Sequence, residues 1–381
     1  MRLPVYLDYN ATTPMDERVL SEMLPWFTHN FGNAASRSHL YGWQAEEAVS
    51  VARGQIARLL GTTEKDIVFT SGATESNNLA IKGIFEAFGS EKNHIITIAT
   101  EHKAVLDVCT HLEQFGAKIT VLLPDSDGQI TLEQLSDAMD ANTLLVSAMY
   151  ANNETGVIFP IEEIAKVCRE RNIFFHTDAT QAVGKLPINL RNTPIDLLSL
   201  SAHKLYGAKG IGALYVNLNN PQLKVIAQMD GGKHERGMRS GTLNVPGIVS
   251  LGKACELARL EMKTNQEKLY FLRNKLEQSI LAKLENTSVN GGNAPRLAHV
   301  TNIAFGGVDG EMLVGNLKNI AVSSGSACTS ASVLPSHVLK AMGINDDLAY
   351  SSIRFSLGKY TTEEEIDFAI NHVVEVIEKM R

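Results

Sequence analysis

The segment Ile67-Val-Phe-Thr-Ser-Gly-Ala-Thr-Glu-Ser76 joins a short apolar run to a Ser-Gly turn and then to a helical pattern. Residues 67–70 have the length and β-branching of a strand, and residues 77 to 88 carry apolar side chains at helical spacing. Strand, glycine turn and helix in that order aim free backbone N–H groups at an anion. The same residues also suit a plain turn capped by Ser71 or Thr74. Neither a Walker loop nor a G-x-G-x-x-G run accompanies them.

The unit repeats along the chain. Strands fit at residues 94–99, 118–123, 143–150, 173–177, 195–200 and 211–216, and helices at 43–60, 103–115, 132–139 and 161–171. Such alternation predicts an α/β fold with a mostly parallel seven-stranded sheet covered on both faces. Ligands bind beyond the carboxyl ends of the strands in these sheets. The candidates there are Ser71 to Thr74, His102, Asn152 to Glu154, Asp178 to Gln181 and Ser201 to Lys204. Residues 246–285 read as a long helical region with one break allowed, leading to a smaller α+β part. That part has strands at 299–305 and 353–356, helices at 311–317 and 336–342, and a last helix from Thr362. The expected division is a large domain over residues 16–260 and a small domain over 1–15 and 261–381.

The 381 residues are 44% hydrophobic and 20% charged, with a net charge of −7, an ordinary globular composition. That balance argues against a large basic surface, so no direct nucleic-acid partner is expected. No apolar run approaches the ~18 residues that span a bilayer, and no long apolar leader opens the chain, so the expectation is a cytoplasmic protein without a membrane partner. Four cysteines, 109, 168, 255 and 328, show no C-x-x-C spacing, which argues against zinc. Cys109, Cys168 and Cys255 lie in helix-like apolar patterns and suit core positions. Cys328 lies among Ser, Gly, Ala and Thr between positions 323 and 332, a setting for an accessible, reactive thiol.

Asp178 ends one strand, and Lys204 follows another 26 positions later. An acid, a lysine and a glycine-led helix N-terminus are what a pyridoxal phosphate site needs: an acid to keep the pyridine nitrogen protonated, an amine to bond the aldehyde, and a cradle for the phosphate. Each feature alone has a plain structural reading, Asp178 as a strand-end cap and Lys204 as a surface lysine; together they favour the functional one.

These residues resemble the NifS/IscS-type cysteine desulfurases, fold-type I enzymes of the class V aminotransferase family, and the IscS branch most. The resemblance runs almost end to end. It rests on Leu7-Asp-Tyr-Asn-Ala-Thr-Thr-Pro14, Phe69-Thr-Ser-Gly-Ala-Thr-Glu-Ser76, Thr100-Glu-His-Lys-Ala-Val-Leu-Asp107, Asn152-Asn-Glu-Thr-Gly156, His176-Thr-Asp-Ala-Thr-Gln181, Ser201-Ala-His-Lys204, His234-Glu-Arg-Gly-Met-Arg-Ser-Gly-Thr242, Ser323-Ser-Gly-Ser-Ala-Cys-Thr-Ser-Ala-Ser332 and Ser352-Ile-Arg-Phe-Ser-Leu-Gly358.

The resemblance implies a fold-type I transferase using pyridoxal 5′-phosphate. Lys204 would hold the cofactor and shuttle the substrate Cα proton, and Asp178 would pair with the pyridinium nitrogen. Gln181 would bond the ring oxygen, and His102 would stack on the ring and help with proton transfer. Ala73, Thr74, Ser201, His203 and, across a homodimer interface, Thr242 would hold the phosphate. Asn153 and Arg354 would bind the carboxylate of L-cysteine. Cys328 would take the sulfur as a persulfide, leaving alanine, and pass it on for iron–sulfur clusters and tRNA thiolation. The implied partners are an IscU-like scaffold and other sulfur acceptors; no intrinsic metal site is implied, although Cys328 could ligate a cluster transiently with a scaffold. The chain ends at Arg381, where the IscS branch usually continues into residues that help dock IscU. Ala208 stands where the family usually has Pro, and Asn10 where close relatives often have Ser. The alternatives are a selenocysteine lyase, another class V enzyme, and a non-catalytic sulfur-relay protein.

Overall fold

A computed structural model describes residues 3–324 and 335–381. In chain order they form β1 (Val5–Tyr6), α1 (Glu17–Met23), α2 (Pro25–Thr28), α3 (Leu40–Leu60), β2 (Ile67–Thr70), α4 (Ala73–Phe88), β3 (His94–Ile98), α5 (Lys103–Glu113), β4 (Lys118–Leu122), α6 (Leu132–Ala138), β5 (Thr143–Ser147), α7 (Ile161–Glu170), β6 (Phe174–Asp178), β7 (Leu197–Ser201) and β8 (Gly212–Val216). Then follow α8 (Val245–Lys283), β9 (Thr287–Val289), β10 (Val300–Phe305), α9 (Gly310–Asn316), β11 (Ile320–Ala321), β12 (Ser323–Ser324), α10 (His337–Ala341), α11 (Asp346–Tyr350), β13 (Ser352–Ser356) and α12 (Glu363–Met380).

Seven strands make one sheet in the order β2-β8-β7-β6-β5-β3-β4. β8 runs antiparallel to β2 and β7, and the other pairs are parallel. The inner strands are buried on both faces, which is why they read as continuous apolar runs rather than alternating ones. Helices cover them through narrow apolar stripes, such as Val105, Val108, Cys109 and Leu112 of α5. The strand order reverses between β3 and β5, so the loops after them diverge and open a crevice. His102 follows β3, and residues 152–154 follow β5.

A second sheet, β12-β13-β10-β9, is antiparallel and packs its own core with α12 and the end of α8. The N-terminal segment joins the two sheets. β1 pairs with β11, Asp8 bridges to Ser356, and Thr13 N–H donates to His203 O beside the large sheet.

Two expectations change. α8 is one unbroken helix of 39 residues. Its first half is buried from Val245 to Leu257 and its second at Leu272, Leu276 and Ile280, so the exposed middle is a crossing between two cores, not a break. α4 begins at Ala73 rather than near residue 77, immediately after Gly72, because its polar first turn carries no apolar signal. Cys109, Cys168 and Cys255 are buried free thiols, as their patterns predict.

Candidate active site

A cavity of about 510 Å³ opens where the large sheet's strands end. Ala73, Thr74, His102, Asn153, Asp178, Gln181, Ser201, His203, Lys204 and Arg354 all line it. Of the expected site residues among those described, Thr242 alone lies elsewhere, in an exposed stretch outside this wall. Cys328 lies outside the described residues.

β6 and β7 are parallel neighbours with Asp178 opposite Ser199, which brings their ends side by side. Asp178 is 7% exposed. Asn77 Nδ2 donates to its Oδ2 at 2.7 Å and Thr180 N–H to its Oδ1 at 3.0 Å. These two donors fix the orientation of the carboxylate. Lys204 ends a single 3-10 turn after β7, and its Nζ donates to the carbonyls of Asn10 and of Ala11, the latter at 2.7 Å. Carbonyls accept from the amine but cannot take its proton.

The N-terminus of α4 faces the same cavity. Gly72 is its N-cap and offers no side-chain hydrogen bond. Of the two alternatives for this turn, the open N-terminus is the one that forms, and it presents N–H groups to an anion. The glycine at 212 makes room for it: an added Cβ would lie 2.5 Å from Leu200 O and 2.7 Å from Gly72 Cα. Ser201 and His203 line the cavity beside it. Burial, then Lys204 and Lys209, push the His203 imidazole down to about 4, so it sits there neutral.

Arg354 lies in β13, every residue of which is buried. Its Nη2 pairs with Asp8 Oδ1 at 2.6 Å, and its Nη1 donates to Asn153 O at 3.0 Å. Asn10 Nδ2 donates to the same carbonyl at 3.0 Å. A carbonyl only accepts, so Asn10 Oδ1 must face the other way, toward His299 Nε2 at 2.8 Å, and that nitrogen carries the proton. Burial holds His299 well below its ordinary range, in keeping with a neutral ring. The Asn10 N–H donates to Ser356 Oγ at 2.9 Å, and its carbonyl accepts from Gln181 and Lys204. One residue thus ties the second sheet to both sides of the cavity.

His102 caps α5: Ala104 N–H donates to its Nδ1 at 3.1 Å, leaving the proton on Nε2. Burial lowers its pKa and Asp178 opposes that, so the neutral ring dominates at neutral pH. Glu101, beside it, is fully buried and accepts from Met149 N–H at 2.5 Å; burial raises its pKa well above the ordinary value. Glu154 is raised to about 7, again by burial, although Ser336 Oγ donates to it at 2.5 Å and Arg354 lies near. His337 Nε2 donates to Glu101 O at 2.9 Å. Ser336 and His337, shortly after residue 334, therefore attach to the loops that carry Asn153 and His102. Before residue 325, Ser323 of β12 pairs with Arg354.

Sequence reading noted Asn10 only as a departure from close relatives, placed Glu154 among the strand-end candidates without a role, and gave Asn77 and Glu101 none. Asn10, Glu101 and Glu154 lie within quoted motifs; Asn77 carried no signal of its own.

The sequence profile of the Aminotransferase class-V family matches residues 5–368. A protein named cysteine desulfurase IscS from Anaeromyxobacter sp. (strain Fw109-5) is 55% identical over 381 residues, covering 100% of this chain and 94% of that one. Its namesake from Histophilus somni (strain 129Pt) is 55% identical over 383 residues with the same coverage. A solved structure described as a NifS-like protein superposes with a TM-score of 0.91 at 37% identity, covering 100% of both chains. Another, described as SspA in complex with cysteine, reaches 0.83 at 38% identity over 94% of this chain and 100% of that one.

Proposed function

The chain belongs to the class V aminotransferase family, and from that premise we propose that it is a pyridoxal 5′-phosphate-dependent cysteine desulfurase, converting L-cysteine to L-alanine and a persulfide on Cys328. The observation that carries this reading is convergence: Lys204, Asp178 and the open end of α4 line one cavity, with Arg354 on its wall. The residues fit the cofactor chemically. The α4 N–H groups, Thr74, Ser201 and neutral His203 would take its phosphate, Asp178 its pyridinium N–H and Gln181 its ring oxygen. When bound, the cofactor supplies an electron sink that makes the substrate Cα–H acidic and the Cβ–Sγ bond labile.

The chain's own residues do the rest. Arg354, held by Asp8 and Asn153 O, presents a guanidinium fork that matches the substrate carboxylate. Lys204 Nζ would carry the Cα proton, and His102 would press on the ring with its proton on Nε2. The Cys328 thiolate would attack the substrate sulfur. One Cβ–Sγ bond breaks, one S–S bond forms, and Cβ gains the hydrogen of alanine, so atoms and electrons balance without an oxidant. The persulfide would then pass to an IscU-like scaffold and other acceptors serving iron–sulfur assembly and tRNA thiolation.

The functional unit is a homodimer. Leu40 and Trp43 of α3, each more than half exposed, line one open groove with Trp26 of α2, a surface suited to an interface. Thr242, outside its own chain's cavity, would complete the phosphate site of the other copy. Among the described residues no helix is long and apolar enough to cross a membrane.

The test mixes the holoenzyme with L-cysteine and a thiol reductant and measures alanine and sulfide together. Equal amounts, lost in Cys328→Ser, are expected. Bound cofactor with neither product would overturn the reading.

A further inference from the structure

Four positions after Gln181 lies a second lysine, which the mechanism above does not use. Lys185 is not part of the main cavity wall. It lines a separate narrow crevice of about 60 Å³ behind Lys204, with Tyr206, Leu257 and Met262. Its Nζ donates to Gln181 Oε1 at 2.8 Å, and Gln266 Nε2 pins its backbone carbonyl. Gln181 Nε2 in turn donates to Asn10 O at 3.1 Å.

We infer that Lys185 is a positioning residue: it locks the Gln181 carboxamide with its NH₂ group toward the cavity and thereby sets the acidity of the bound cofactor. The orientation is determined from both ends. An ammonium only donates, so it must face Oε1; Asn10 O only accepts, so it must face Nε2. The second N–H of that NH₂ group is then available to the cofactor's ring oxygen. This inference rests on the proposed placement of Gln181 at that oxygen.

The charge balance supports it. Among the described residues no carboxylate comes within ion-pair distance of Lys185; Asp16, Glu261 and Lys359 only share the crevice wall. The groups that bear on it are Lys204 and Arg354, both cationic, and it in turn bears on His203 and His299, both neutral. A sequestered cation without a counter-ion is costly. The anionic ring oxygen beyond Gln181 supplies the missing charge. Burial and Lys204 push the ammonium down to about 7; above that pH the neutral amine can accept as well as donate, and only the Asn10 carbonyl still fixes the amide's orientation.

The experiment is a pH titration of the holoenzyme's visible absorption band in four proteins: parent, Lys185→Met, Gln181→Leu and the double variant. A donor to the ring oxygen stabilises its ionised form and lowers the midpoint. Lys185→Met should raise the midpoint by about one pH unit, tenfold in the dissociation constant. In the Gln181→Leu background the same change should move it by less than a third as much, because the amide is gone. Lys185→Gln, which donates and accepts alike, should act in the same direction and serves if the methionine variant does not fold. Equal shifts in both backgrounds would mean that Lys185 acts through its field alone and would overturn the inference, as would no shift. An unmoved midpoint in Gln181→Leu would instead refute the placement of Gln181, and the inference with it.

Discussion

Replacing Glu154 with glutamine should make this protein more stable at pH 8, and progressively less so toward acid. Glu154 is fully enclosed between the loop bearing Asn153 and Ser336. Burial raises its pKa from 4.5 to about 7, against the pull of Ser336 and Arg354. Between those two values the native carboxyl keeps a proton that the unfolded one has lost. The native state therefore binds more protons, and stability falls as pH rises through the window. At 1.36 kcal/mol per pH unit the full penalty is about 3 kcal/mol, reached above pH 7, with about 1.4 kcal/mol already present at pH 5.5. Glutamine never ionises and keeps an oxygen to accept from Ser336 Oγ. The advantage of Glu154→Gln over the parent should thus grow by about 2 kcal/mol from pH 5.5 to pH 8. Glu101, raised for the same reason, cancels because both proteins carry it. Equilibrium urea unfolding of the two holoproteins at both pH values, compared at equal m, measures the difference. A difference that does not change with pH would refute the buried, proton-retaining carboxyl.

Arg354→Gln removes the guanidinium fork and leaves Asp8 without its ion pair. It should raise KM for L-cysteine at least tenfold, since a charge-assisted bond contributes about 1.5–3 kcal/mol; steady-state kinetics with an unchanged KM would place the carboxylate elsewhere. Gly212→Ala forces a methyl against Leu200 O and Gly72 Cα, neither of which can yield without moving the turn before α4. Cofactor affinity should fall at least tenfold while the thermal midpoint of the cofactor-free protein changes little, read by equilibrium dialysis and melting in parallel.

The alternation of strand and helix was legible because burial on two faces leaves continuous apolar runs and one-sided burial leaves helical stripes. The residues that line the cavity were legible because strand ends are where such a sheet exposes side chains. Two features misled. The first turn of α4 is Ala-Thr-Glu-Ser, without an apolar stripe, so its start was placed four residues late. The middle of α8 is polar because it spans the gap between two cores, which in one dimension looks like a break. Asn10, read only as a departure from a family habit, turned out to be a junction.

By itself the sequence determined the α/β class, the family and the residue types gathered around the cavity, because periodicity and local motifs are short-range properties. The tertiary structure alone decided what holds those residues in place. Asp8 meets Arg354 and Asn10 meets Ser356 across 346 positions, and Ser336 meets Glu154 across 182. Such partners share no period and no spacing. They are selected by the requirement that every buried charge and donor find a complement, and only the packed chain shows which complement it found.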